Sequence, residues 1–333
     1  MRKLLPVFVM VLAVGGLFAQ DPIFSQFYAA PLQLNPAFAG SAFAPRFGGV
    51  YRNQWPGINQ AYQTYSFYYE QRAEALNSGF GVYLEGDNAG NGILKSTRAS
   101  LSYSYRLHFS EDLGIQIGVE AGMHQTALDW DQLVFPDQLD PFSGPVNNTL
   151  EQRPDQTTVT RLDISSGMLI LSDKLWLGVG LKHLNTPDQG FLLVNNNLSR
   201  GLPLRYTIHG GAEFRVNERN KAKMPSFISP NFLFVSQGPY QQINVGAYAG
   251  VGSIFGGAWY RHTFGNADAA IIMVGFREGV FKLGLSYDAT LSRLASSSGG
   301  AYEISLGVLL DKSEFLRSKH TRSKLNNCLG MFQ

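Results

Sequence analysis

Apolar residues alternate with polar or small ones in segment after segment between residues 46 and 310. That is the pattern of a strand with one face toward an apolar medium and the other toward a polar interior. In 113–124, Leu113, Ile115, Ile117, Val119, Ala121 and Met123 share one face, opposite Gly114, Gln116, Gly118, Glu120, Gly122 and His124. In 98–107, Ala99, Leu101, Tyr103, Tyr105 and Leu107 oppose Arg98, Ser100, Ser102, Ser104 and Arg106. The same holds for Leu204, Tyr206, Ile208 and Phe214 against Arg205, Thr207, His209, Glu213 and Arg215, and for Tyr302, Ile304, Leu306, Val308 and Leu310 against Glu303, Ser305 and Gly307.

Segments bounded by turn residues predict fourteen strands, at 46–55, 62–71, 79–86, 98–107, 113–124, 158–171, 174–184, 204–215, 227–236, 241–250, 254–262, 269–277, 280–289 and 302–310. An even count returns the chain to its starting side, as in single-chain bacterial barrels. Connection lengths alternate as such barrels require. The longest loops, 125–157 and 185–203, fall on one side, and tight turns such as Ser172-Asp173 and Glu278-Gly279 on the other; the polar stretch 216–226 is the one long exception.

A soluble β-sandwich gives the same alternation, so composition matters. The chain has 23 Phe, 15 Tyr, 4 Trp and 36 Gly among 333 residues, with only 16% charged, where an average globular chain carries about 25%. Mean hydropathy is −0.08, and after residue 20 no apolar run reaches the ~18 residues of a membrane helix. The reading is an all-β transmembrane outer-membrane barrel of about fourteen antiparallel strands. Residues 1–19 (Arg2, Lys3, then apolar Leu4 to Phe18, then Ala19) read as a signal peptide removed before Gln20. No cysteine lies near that cleavage point, and the only one, Cys328, excludes an intrachain disulfide. Without Arg2 and Lys3 the 27 basic residues fall to the number of the 25 acidic ones, and nothing suggests a nucleic-acid partner, which needs a net basic face.

Candidate chemistry is sparse. The six histidines (108, 124, 183, 209, 262 and 320) have no metal-ligand spacing, and there is no phosphate-binding glycine loop or nucleophile elbow. A barrel hydrolase can assemble Ser, His and Asn or Asp from neighbouring strands without a local signature, and scattered serines such as Ser165 and Ser166 with His124 are candidates of that kind. Asp129, Asp131, Asp137 and Asp140 lack the central glycine and terminal glutamate of a calcium loop. The expectation is therefore a non-enzyme with no cofactor and no metal. The inward charges Arg98, Arg106, Glu120, Arg161, Asp163, Arg205, Glu213, Lys282, Asp288 and Glu303 are of both signs, which suits pairing across a filled lumen better than a selective pore.

Residues 20–45 do not read as strand. Pro22, Pro31 and Pro36 cannot donate ladder hydrogen bonds, yet Ile23, Phe24, Phe27, Tyr28, Leu32, Leu34 and Phe38 are too apolar for a free tail. An ordered segment in the lumen or against its periplasmic mouth is expected. This N-terminus, Asp21-Pro22-Ile23-Phe24-Ser25-Gln26-Phe27-Tyr28 with Pro31-Leu32-Gln33-Leu34-Asn35-Pro36-Ala37-Phe38-Ala39-Gly40-Ser41 and Tyr51-Arg52-Asn53-Gln54-Trp55, resembles the opening of the PorP/SprF family of the type IX secretion and gliding machinery of Bacteroidetes. Lys182-His183-Leu184-Asn185-Thr186-Pro187, Trp259-Tyr260-Arg261, and Tyr287-Asp288 with Ser298-Gly299-Gly300-Ala301-Tyr302-Glu303-Ile304-Ser305-Leu306 extend the resemblance over nearly the whole chain.

The resemblance implies a non-enzymatic barrel that engages translocon and periplasmic ring subunits and a secreted surface protein; the alternative is a passive porin or a barrel for hydrophobic solutes. The organisation expected is signal peptide 1–19, lumen or periplasmic segment 20–45, barrel 46–310 and periplasmic tail 311–333. The tail carries Lys312, Arg317, Lys319, Arg322 and Lys324 against Asp311 and Glu314, and is expected to order only on a partner. Its position after the last strand displaces the usual terminal assembly signal. Candidate partner contacts are Phe24, Phe27, Tyr28, Asn35 and Pro36 in the N-terminal block, Trp130, Phe135 and Phe191 in the long loops, and Phe315, Lys319 and Arg322 in the tail. Lipids of the outer membrane surround the barrel.

Overall fold

The first and last strands pair along their whole length, from Arg46 opposite Leu309 to Gln54 opposite Ala301, and so close the sheet into a barrel. The computed structural model describes residues 20–58, 62–110, 112–140, 142–145, 148–191, 201–216, 226–264, 266–291, 298–310 and 324–332. The fourteen wall strands are β1 (Arg46–Gln54), β2 (Tyr62–Ala73), β3 (Ser78–Ala89), β4 (Leu94–His108), β5 (Leu113–Leu128), β6 (Thr158–Ser172) and β7 (Leu175–Lys182), followed by β8 (Arg205–Ala212), β9 (Phe227–Gln237), β10 (Tyr240–Val251), β11 (Ile254–Thr263), β12 (Asn266–Glu278), β13 (Phe281–Thr290) and β14 (Ala301–Leu309). Each pairs antiparallel with its chain neighbours, and a two-residue extension, Phe214–Arg215, continues β8 along β9.

The wall is apolar outside and polar inside, the inverse of a soluble protein. Along β4, Leu101 is 67% exposed while Ser104 is fully enclosed. Tyr65, Phe67, Val119, Ile272 and Leu285 face outward, whereas Arg98, Glu120, Arg205 and Glu303 face in. A soluble sandwich cannot carry such an exterior, whereas lipid stabilises it. No helix among the described residues is long and apolar enough to cross a membrane. The protein is an outer-membrane β-barrel.

Tight turns predominate at one end, with Gly238-Pro239 at the other. Asp173-Lys174, Gly252-Ser253 and Gly279-Val280 each join two strands at the first end, and Gly252 and Gly279 hold φ near +60°, a conformation glycine adopts without a Cβ penalty. At the opposite end lie the long connections 129–157, 183–204 and 291–300. The tight turn read at Ser172-Asp173 is thus shifted by one residue, because Ser172 still pairs with Leu113. The eleven-residue loop expected between the third and fourth strands is also shorter. Asp87, Asn88, Lys95 and Ser96 continue the ladder, leaving 90–93 as the connection.

Two non-barrel segments fill the interior. Residues 20–45 run through the lumen as three short helical turns, Phe27–Ala29, Pro31–Leu34 and Pro36–Phe38, with Phe24, Leu32, Ala37 and Phe38 at most 1% exposed. Residues 324–332 form further 3-10 turns, Lys324–Phe332, closing the short-turn end, with Cys328, Leu329, Met331 and Phe332 buried. The end of the expected periplasmic tail is therefore not a free segment awaiting a partner: its apolar side chains find their surface on this chain's own lumen. Residues 311–323, with Phe315, Lys319 and Arg322, and the signal segment 1–19 lie outside the described residues.

Candidate functional site

The plug of residues 20–45 is held to the wall at three places. Asp21 is the first. Its carboxylate accepts from Arg98 Nη2 at 3.0 Å and Arg205 Nη1 at 3.0 Å, and faces His183 Nε2 at 2.6 Å. His183 Nδ1 lies 3.0 Å from Asp163, and Arg98 also reaches Glu85 and Asp163 at 3.5 and 3.7 Å. Burial alone would raise the Asp21 carboxyl, but the charges of Arg98, His183 and Arg205 outweigh it and hold the group well below the usual carboxylate range. Lys182 beside them pairs with Glu120 at 2.8 Å.

The second anchor crosses the seam where β1 meets β14. Arg52 stands directly opposite Glu303 in the ladder and pairs with it, and with Asp288 at 3.1 Å. The free lone pairs of the same carboxylates take the plug. Ser25 N–H donates to Glu303 Oε1 at 2.7 Å, Gln26 N–H to Glu303 Oε2 at 2.8 Å, and Ser25 Oγ to Asp288 at 2.6 Å. Arg261 adds a second cation to Asp288 at 2.9 Å.

Asn35 is the third. Its side-chain oxygen accepts from Ala37 N–H at 2.9 Å and caps the turn at Pro36, while its Nδ2 donates to the carbonyls of Met168 and Val179 at 3.1 and 3.0 Å. Inward-facing glycines make room. A Cβ at Gly167 would lie 1.9 Å from Asn35 Oδ1, at Gly118 2.4 Å from Ala37 N, and at Gly79 2.2 Å from the Ala39 carbonyl. Around these polar anchors Phe27 meets Trp259 edge-on at 4.8 Å, Tyr28 meets Tyr248 at 5.6 Å, and Phe38 stacks on His209 and Phe332 at 5.6 and 4.9 Å.

The motif blocks picked out in the sequence are thus the two sides of one internal interface. Asp21 to Phe38 form one side; Arg52, Lys182 with His183, Trp259 with Arg261, Asp288 and Glu303 form the other. Phe24, Phe27, Tyr28, Asn35 and Pro36 lie in the lumen, each of them buried. The glycines seating the plug stand on the polar face of strands 79–86, 113–124 and 158–171, where alternation alone reads them as merely small.

The long loops behave differently. Trp130 and Phe135 are half-buried against each other, ring centroids 4.8 Å apart, and Phe191 is also half-buried. Beyond them Phe142 is 98% and Leu150 90% exposed. The loop carboxylates are used internally. Asp137 accepts from Thr149 Oγ1 and Leu150 N–H, and Asp131 meets Arg153 at 3.4 Å. Asp140 accepts from the N–H groups of Phe142 and Ser143, which lowers its pKa. Among the described residues no group of three or more His, Cys, Asp or Glu is placed to hold a metal.

His124 is not paired with Ser165 or Ser166. His124 Nε2 lies 2.6 Å from Ser96 Oγ rather than from Ser165 or Ser166. The Gln189 amide Nε2 faces His124 Nδ1 at 2.8 Å, so both ring nitrogens have polar neighbours other than Ser165 and Ser166.

A model of the family described as type IX secretion system membrane protein PorP/SprF matches residues 17–308. Among curated proteins none matches the chain. Among solved structures, the P. putida toluene transporter TodX aligns at 12% identity and TM-score 0.48, over 86% of this chain and 95% of its own. The Ralstonia pickettii toluene transporter TbuX aligns at 11% and 0.47, over 84% and 93%. Omp33 of Acinetobacter baumannii aligns at 10% and 0.43, over 80% and 97%.

Proposed function

The chain belongs to the PorP/SprF family of type IX secretion system membrane proteins, and from that premise we propose that it is a plugged, non-conducting anchor of that machinery. In this reading it engages a secreted surface protein through its long loops and periplasmic ring subunits through its short-turn end. The observation that carries the reading is the filled lumen: an open passive pore would leave clear the space held by a segment fixed by Asp21, Ser25, Gln26 and Asn35 to both halves of the wall. A rigid filled cylinder suits load-bearing between two partners on opposite sides of a membrane.

The long loops supply the outer contact in this proposal. Phe142 and Leu150 are apolar residues held outward on a loop whose backbone is pinned by Asp137 and Asp140; such side chains suit docking because little loop entropy is lost on binding. The basic residues Lys319 and Arg322 of the tail remain the proposed contact with the ring. Truncation cannot test that role, because it also removes Leu329, Met331 and Phe332 from the lumen. Charge reversal at Lys319 and Arg322 is the suitable perturbation.

Affinity purification of the full protein from its native outer membrane tests the reading. Ring subunits and one large surface protein are expected to co-purify, with the ring subunits lost on Lys319→Glu/Arg322→Glu at normal barrel abundance. Planar-bilayer recordings on the purified barrel are expected to show no steady conductance. Steady ohmic channels with no co-purifying protein would instead establish a porin.

A further inference from the structure

At the short-turn end a cavity of about 240 Å³ opens between the Gly40 turn of the plug and strands β2, β4 and β5. Arg72 and Arg106 line it. Arg106 is only 8% exposed, and its Nε and Nη2 both donate to Gln116 Oε1, at 3.1 and 2.6 Å. Gln116 is itself fixed, since its Nε2 donates to the Ala39 carbonyl and to Ser104 Oγ, each at 2.8 Å. Arg72 donates Nε to the Gly40 carbonyl at 3.0 Å and Nη2 to the Ser41 carbonyl at 2.8 Å.

All of these acceptors are neutral. Five arginines are buried among the described residues. Arg46, Arg52, Arg98 and Arg205 each meet a carboxylate, at Glu70, Glu303, Asp21 and again Asp21. Arg106 forms no ion pair with a described residue, nor does Arg72 beside it. Enclosing a guanidinium without a carboxylate in contact is costly; Glu70 and Glu74 act on both guanidiniums only from beyond ion-pair distance, and the cavity leaves space for a nearer carboxylate. Two planar forks held at fixed angles by main-chain and amide oxygens match the geometry of a carboxylate.

We propose that this cavity is a carboxylate-binding pocket that receives one Asp or Glu side chain of a polypeptide presented at the short-turn, periplasmic end. Its rim carries the exposed residues Glu74, Asn77 and His108 at the short-turn end, where a polypeptide in the periplasm reaches it. The plug builds part of the site through Gly40 and Ser41, so an ordered plug is a condition of binding. Glu74 on the rim sets a like charge beside the entrance and weakens the site.

The purified full-length barrel in detergent tests this without the secretion machinery, so its outcome is separable from the anchor reading. The probes are acetyl-Ala-Glu-Ala-amide, whose only carboxylate is the side chain, its Gln counterpart, and inorganic phosphate. The readout is the Nε–H resonances of the 15N-arginine-labelled protein. Saturable binding of the Glu peptide is expected, about tenfold tighter than the Gln peptide and about tenfold weakened by Arg106→Gln, as fits loss of one charge-assisted hydrogen bond. Glu74→Gln, on an exposed turn, should tighten binding about threefold.

Equal shifts from the Glu and Gln peptides, or an affinity unchanged in folded Arg106→Gln, overturn the proposal. If Arg106→Gln does not assemble, Glu74→Gln decides, and no tightening there overturns it. Phosphate binding more tightly than the Glu peptide assigns the pocket to phosphate instead. Binding that appears only in Asp311→Asn/Glu314→Gln assigns it to the chain's own tail; both results overturn the proposal as stated.

Discussion

Gly167 and Asn35 form a contact whose energetics follow from one overlap. A Cβ added at Gly167 would stand 1.9 Å from Asn35 Oδ1 and 2.8 Å from its Cγ. Wall strand β6 is fixed by ladders on both sides, so Gly167→Ala must expel the Asn35 side chain or overpack the site. Expulsion loses the Ala37 cap, worth about 1 kcal/mol, and two donations to wall carbonyls, together about 1–2 kcal/mol. The expected weakening of plug docking is therefore about 2–3 kcal/mol, roughly 30- to 150-fold in the opening equilibrium. Asn35→Ala loses the same bonds and should cost a similar amount. The two changes should not add, because removing the amide empties the space the new methyl enters, so the double variant should resemble Asn35→Ala alone, with a coupling of about 2 kcal/mol. Hydrogen exchange of the amides of residues 26–41, measured on the micelle-bound barrel, reads the opening equilibrium directly. Additive effects of the two substitutions, or protection within threefold of the parent protein in either single variant, would refute the contact and the seating of the plug built on it.

Other outcomes follow from the same geometry. Asp21 has a lowered pKa in the folded protein, so its stabilisation is present above the unfolded value of about 3.9 and is lost as pH falls through the folded value; plug protection should stay flat from pH 7 to about 5 on this account and fall only in stronger acid. Asp21→Asn should loosen the plug by about 3–5 kcal/mol by leaving Arg98 and Arg205 short of a counter-charge, and unchanged exchange at residues 20–30 would contradict this. Burial pushes the Cys328 thiol up to about 12, so maleimide at neutral pH should label the folded barrel hardly at all and the denatured chain fully; prompt native labelling would show that 324–332 leaves the lumen. Deleting 136–150 should abolish surface display of the cargo while heat-modifiable barrel migration on gels stays normal, and normal display would remove the loop from the cargo contact.

The wall was legible because lipid imposes a strict two-residue period, and all fourteen strands lie where the alternation puts them. The ladder ends were not. Asp87, Asn88, Lys95 and Ser96 pair across β3 and β4, but they stand beyond the apolar band, where hydrogen bonding continues after the hydrophobic signal has stopped. The need of residues 20–45 for a covering surface was readable from proline beside aromatic residues. Which surface was not, since Ser25 meets Glu303 across 278 positions of sequence. Glycine at 79, 118 and 167 did carry a signal, as the absence of any side chain on an inward face. The tail misled for a related reason. Leu329, Met331 and Phe332 are apolar enough to need a partner, and no local rule tells a partner chain from the chain's own lumen 156 residues upstream, where Trp176 receives Phe332 at 5.0 Å.

The pairing of Arg52 with Glu303 across the β1–β14 seam orders events in time. Until the last hairpin meets the first strand, Arg52 has neither Glu303 nor Asp288, and Ser25 and Gln26 have no carboxylates to donate to. Phe38 likewise waits for Phe332, which lies beyond every strand in the chain. The interior therefore sets only after the cylinder has sealed, and locking of the N-terminal segment reports that closure is complete. An insertion machine that keeps the seam apart keeps the lumen soft, and a nascent barrel stalled one hairpin short would betray itself to envelope proteases by a loose, cleavable N-terminus.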